Sequence, residues 1–234
     1  MLKMTLQEFQ DELHSEYQGD TDTPADASDE WNHRTRLLKG VIRDWNAEEG
    51  ITWSELWKQL SDNSGGDGDK TVLAAILNYA CPTDFDFPGG FVKTTGSDGK
   101  SAYWDVVTQE RAEILQNEGV QACYFTGNQS AGYVLHFITQ PTAGDTINYP
   151  YYKTPIIPSD AADIIEMSDP RFSIQMCLSK MHEIDGEGDR STKAFRLAQS
   201  TMVKMRRRNV LPVYLQENKV SDREAEIGEA GFGE

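Results

Sequence analysis

Four short aromatic and β-branched runs lie between two tracts of helical periodicity, and that segregation limits the fold more than any other feature. The runs are FVKTT (91–95), AYWDVV (102–107), QACYFTG (121–127) and YVLHFIT (133–139). Glycine-containing breaks separate them, and such residues suit half-buried strands. Ser97-Asp98-Gly99 and Asn128 to Gly132 read as hairpin turns, and Gln109 to Asn117 as a helical insertion. An antiparallel sheet is predicted for the middle of the chain.

The flanking tracts read as helices. Thr5 and Glu8 form a Thr-x-x-Glu capping box ahead of Leu6, Phe9 and Leu13, so a helix is predicted from residue 5 to about 18, stopped by Gly19. Ser28 or Asp29 caps a second helix carrying Trp31, Leu38, Val41, Ile42 and Trp45 at a period near 3.6. Thr52 and Glu55 repeat the box before Trp53, Leu56, Trp57 and Leu60, which predicts a short third helix. Residues 71–80, TVLAAILNYA, fit either a helix or a buried strand. After the sheet, INYPYYKTPIIPSDAADI reads as an extended connection because of its prolines. Asp169-Pro170 opens a helix to about Ile184, GEGD makes an elbow, and a last helix runs from about Asp189 to Asn209 before a polar tail.

Helices, then strands, then helices argue an α+β fold. The first and last helices are expected to form one helical bundle with a central antiparallel β insertion and an extended C-terminal arm. The boundaries are 1–80 for the N-terminal helices, 81–158 for the β-rich insertion with its extended loop, 159–209 for the C-terminal helices and 210–234 for the tail.

Charge and composition exclude several functions. With 38 acidic against 22 basic side chains the formal charge is -16, which repels phosphate backbones and anionic membranes. No window approaches ~18 consecutive apolar residues, and the opening MLKMTLQEFQDELHSEY turns polar too soon for a signal-peptide core, so no membrane association or export is expected. Cys81, Cys123 and Cys177 are scattered, odd in number and without metal-site spacing, so they read as buried thiols.

No catalytic constellation emerges, and each candidate fails at a key position. Lys70-Thr71 lacks the glycine of a phosphate-binding loop, because Asp69 precedes the lysine. A calcium loop begun at Asp20 would have Pro24 at its fifth position and Trp31 at its twelfth, where glutamate is required. One begun at Asp62 ends on Leu73. His14, His33, His136 and His182 form no i, i+4 pair, and no GxSxG elbow occurs. The reading is therefore a non-enzyme with no catalytic residue, metal or cofactor.

Assembly surfaces are the remaining candidates. Trp31, Trp45, Trp53 and Trp57 sit at helical spacings and read as core, whereas Tyr149, Tyr151 and Tyr152 fall in the predicted loop and read as a subunit interface. Arg206, Arg207 and Arg208 suit a helix C-terminus and a subunit-subunit ion pair.

Several segments in order resemble the head-to-tail adaptor proteins of tailed bacteriophages, of the tail-tubular or gatekeeper type. They are RLLKGVIRDWN (36–46), ITWSELW (51–57), CPTDFDFPGG (81–90), CYFTGNQSAGYVLHFITQPTAGDTINYPYYKTP (123–155), SDAADIIEMSDPRF (159–172) and the closing helix to RRRN (206–209). The resemblance implies a virion protein of the neck, made in the host cytoplasm. Such a protein forms a homo-oligomeric ring, dodecameric in relatives, below the portal protein; it extends the DNA channel and carries downstream neck and tail proteins. DNA would pass without sequence-specific binding. It also implies a portal-docking arm over 210–234, with Leu211, Val213, Tyr214, Leu215 and Phe232 as its apolar anchors. The alternatives are another neck or tail component, such as a stopper or tail-completion protein, and a small enzyme with a dispersed site.

Overall fold

A computed structural model describes the backbone of residues 4–48, 50–62 and 70–229, and their side chains except at 62, 117 and 210–229. In chain order the first elements are β1 (Met4–Thr5), α1 (Leu6–Gln18), α2 (Asp29–Asn46), β2 (Trp57–Gln59), β3 (Lys70–Thr71) and β4 (Asn78–Ala80). Then come β5 (Phe85–Pro88), β6 (Val92–Thr95), β7 (Ser101–Val106), α3 (Gln109–Leu115), β8 (Ala122–Asn128) and β9 (Gly132–Phe137). The chain closes with β10 (Thr146–Asn148), β11 (Pro150–Lys153), β12 (Ile164–Ile165), α4 (Arg171–Ile184) and α5 (Gly188–Glu229). Two compact units result: a helical unit, Met1–Glu55 with Pro155–Glu234, and a β unit, Leu56–Thr154. The fold is mixed α+β.

In the helical unit α4 packs against α5, α2 and α1. Each helix turns an apolar stripe inward: Leu6, Phe9 and Leu13 from α1, Trp31, Leu38 and Trp45 from α2, Phe172, Ile174 and Cys177 from α4, and Ala194, Ala198, Met202 and Met205 from α5. The predicted capping box forms, with Thr5 and Glu8 bonded in both directions, and Gly19 ends α1 in the left-handed conformation. The start of α1 is tied to the returning chain. Strands β1 and β12 pair antiparallel, and the Leu6 and Gln7 amides donate to the Asp163 and Ala161 carbonyls. Two of the unpaired donors of the first helical turn are satisfied in that way.

The β unit holds a seven-stranded sheet of order β3-β10-β6-β7-β8-β9-β4 and a three-stranded sheet of order β2-β11-β5. All pairs are antiparallel except β7–β8. That exception corrects the fully antiparallel expectation: the α3 crossover returns the chain to the same end of the sheet, so β8 must run parallel to β7. Both predicted hairpin turns form, with Gly99 and Gly132 at positive φ.

Three further expectations are corrected. No helix follows Thr52; a 3-10 turn at Ser54–Leu56 leads into β2, whose residues pair with β11. Packing and strand pairing override the local capping signal there. Residues 71–80 are neither one helix nor one strand, since β3 and β4 flank a turn whose Ala75 has φ 61. The β unit accordingly begins at Leu56 and not at residue 81.

The segment predicted as a loop after Thr146 is two strands, β10 and β11, one in each sheet. Ile147, Tyr149 and Tyr151 are all buried, so the two-residue alternation of a strand persists across the switch. Pro150 is tolerated because it stands first in β11, where its missing N–H costs least. Past Asn209 the α5 backbone stays helical to Glu229, where an extended arm is expected. The side chains of Leu211, Val213, Tyr214 and Leu215, and all of Phe232, lie outside the described residues.

Candidate functional site

On the helical unit, α5 carries more apolar surface than its packing uses. Ala194, Ala198, Met202 and Met205 face the core, whereas Phe195 and Val203 are 43% and 45% exposed along a groove of about 450 Å³. Phe172 and Met176 of α4 form its other wall. Asp44, Glu48 and Arg206 close one end, where Arg206 donates to the Glu48 carboxylate and Lys180 pairs with Asp44 at 3.2 Å. The result is an apolar trough with a charged rim held by two ion pairs. Arg206 is thus brought to the trough. Arg207 and Arg208 are exposed and make no ion pair among the described residues.

A second surface escapes a linear reading because its charges are dispersed in sequence. Arg36, Lys39 and Arg43 recur at helical spacing on the solvent side of α2, with His33 beside them. His33, Arg36 and Lys39 border an open depression of about 600 Å³ together with Asp29, Asn32 and Thr35. None of the three cations forms an ion pair among the described residues. Spacing at i, i+3 and i+7 is the signal that finds them.

The expected tyrosine interface is corrected. Tyr149 and Tyr151 are 2% and 0% exposed in the core of the β unit, where Tyr151 stacks on Phe85 and Tyr149 meets it edge-on. Tyr151 donates to Asp84 at 2.8 Å, and burial holds the Tyr149 phenol far above its ordinary range. Tyr152 alone stays half-buried, stacked on Phe87 with centroids 4.7 Å apart.

Two of the histidines, His136 and His14, are engaged in structural networks. His136 lies in a row across three strands: it pairs in register with Asn78 and Tyr124 and stacks on the latter at 4.7 Å. Its Nδ1 meets the Asn78 side-chain oxygen Oδ1 at 2.8 Å and its Nε2 meets the Thr126 hydroxyl at 2.6 Å. Because the Asn78 side-chain oxygen only accepts, Nδ1 carries a proton, and partial burial lowers the ring's pKa, which favours the neutral form with Nε2 accepting from Thr126. The row pins the strand register by side-chain pairs.

In the helical unit, Arg34 is fully buried, bonded to Glu30 and donating to His14 Nδ1 at 3.1 Å, while His14 Nε2 donates to Asp20 at 2.5 Å. Because a guanidinium only donates, His14 is held as the Nε2–H tautomer. This network fastens the acidic loop to α1 and α2. Burial pushes the thiols of Cys81, Cys123 and Cys177 up to about 11, 12 and 12. Among the described residues no group of three His, Cys, Asp or Glu side chains is placed to hold a metal, and no helix is long and apolar enough to cross a membrane.

No protein-family model matches this chain, and no curated protein matches it either.

Proposed function

We propose that this chain is an assembly protein, specifically a head-to-tail adaptor of a tailed-phage neck. In this reading copies form a ring below the portal protein, extend the DNA channel and offer a platform to the tail. The helices α1, α2, α4 and α5 form the bundle, the β unit is its insertion, and the segment 210–234 reaches the portal. The virion neck is the place of action.

The observation that carries the reading is the trough on α5. A lone domain gains nothing from leaving Phe195 and Val203 in water, since covering apolar area is worth about 25 cal/mol per Å². A ring supplies the cover, and its closed symmetry presents the same trough once per copy. Support also comes from the ordered resemblance over about residues 5–209 and from a net charge of -16, which keeps transiting DNA from adhering.

The test is Phe195→Asp combined with Val203→Asp. Both side chains face solvent, so the expected result is a native fold by circular dichroism with assembly on the portal abolished. Assembly equal to that of the unmodified chain would remove the trough from the account.

A further inference from the structure

We propose that the basic face of α2 receives the acidic 20–30 segment of a second copy, so that α2 is the polar axis of the subunit-subunit contact. This rests on the ring reading above and names the contact that orders it.

The solvent face of α2 carries unmatched positive charge. In a chain of net charge -16, Arg36, Lys39 and Arg43 stand together on one helix face without an ion pair among the described residues. Their neighbours on α2 are either used or turned away: Arg34 is buried on Glu30, and Asp44 is taken by Lys180. Asp22 and Asp26 in the loop before the helix and Asp29 at its first position are exposed and likewise unpaired among the described residues. Asp20 is held by His14, which anchors the loop in place.

Within one chain only Asp29 approaches this face, sharing the depression with Arg36 and Lys39 without forming an ion pair, while Asp22 and Asp26 stand before the helix and Arg43 near its far end. The acidic loop ends at the Ser28 cap, and Arg43 lies 14 residues beyond Asp29, about 21 Å along the axis at ~1.5 Å per residue. A loop anchored through Asp20 and Ser28 cannot fold along that face. The acids of one copy can reach the cations of another, and repetition of that pairing is a heterologous contact, the kind that closes rings. Long-range repulsion between acidic copies then leaves this face as the place where approach is attractive, which selects orientation and register. The same net charge argues against DNA as the occupant, because a strongly acidic protein repels a polyanion before local contact forms.

The experiment compares the full chain with R36E/R43E, with D22K/D26K, and with an equimolar mixture of the two variants, by native mass spectrometry with and without portal protein at low and high salt. The four positions are exposed, and an unchanged thermal melt checks the fold. Each variant alone is expected to lose at least about tenfold in self-association, and the mixture to regain it, with salt weakening the unmodified chain in parallel. Rings of R36E/R43E as abundant and as salt-sensitive as those of the unmodified chain would overturn the contact while leaving the ring reading standing. An unmodified chain that never associates, even on portal, would overturn both. If the unmodified chain binds a random 24-base-pair duplex and R36E/R43E loses only that binding, the face serves a phosphate backbone and the contact is overturned.

Discussion

Asn209 clasps the backbone around Ser54 with both ends of its amide. Its Oδ1 accepts from the Ser54 amide at 2.7 Å and its Nδ2 donates to the Thr52 carbonyl at 2.5 Å. The clasp is buried and replaces the helix that Thr52 and Glu55 would otherwise start. Asn209→Ala removes both bonds and strands two backbone groups, so a loss of about 2 to 4 kcal/mol is expected. Urea unfolding of the two proteins measures it.

Beside that clasp, Trp53 stacks on Trp45 with centroids 5.1 Å apart and donates its indole N–H to the Trp45 carbonyl at 2.8 Å. Trp53→Phe keeps most of the stack and loses the bond, for about 1 kcal/mol. Trp53→Ala opens a cavity and costs about 3 to 5 kcal/mol. Chemical denaturation followed by far-ultraviolet dichroism distinguishes the two.

The hairpin of β8 and β9 depends on Gly127. Its φ is 117, and a Cβ there would lie 2.1 Å from the Gly132 carbonyl oxygen. Gly127→Ala is expected to cost about 3 kcal/mol or more and to shift amide resonances throughout both strands. A thermal melt and a proton–nitrogen correlation spectrum check both effects.

His136 predicts a pH dependence of the β unit. Burial lowers its folded pKa below the ordinary 6.5, so the unfolded chain binds the proton more readily. The contribution is complete above that value and is lost as pH falls through the folded pKa. His136→Gln should flatten this segment of the stability curve, measured by urea midpoints across the same range. An unaltered slope would show that the ring does not report there.

The three cysteines should be silent to a thiol reagent at pH 8. Burial raises each thiol well above that pH and hides the sulfur. Absorbance on adding a chromogenic disulfide should show no reaction in the native chain and three equivalents after denaturation.

Much of this fold is legible in the sequence wherever local and global signals agree. The Thr5–Glu8 box, the stripe from Trp31 to Trp45, the Gly99 and Gly132 turns and the glycine elbow before α5 all appear where the chain pattern puts them. Failures occur where distant partners decide. Asn209 is far from Thr52 in sequence, so nothing local reveals that its capping box goes unused. Tyr149 and Tyr151 read as a proline-rich loop because the chain changes sheets at that point, although Ile147-x-Tyr149-x-Tyr151 carries strand alternation. The candidate surfaces follow the same rule. Arg206 is visible in a run of three, whereas the α2 face needs a helical projection and the exposed side of α5 needs its packing partners.

If the chain works by assembling, as proposed, native mass spectrometry with and without a candidate portal protein reveals it. The account predicts a closed ring of the chain on the portal. It further predicts that removing residues 210–234 abolishes docking while the melt of the remaining chain is unchanged. A chain that stays a monomer in both conditions would contradict it.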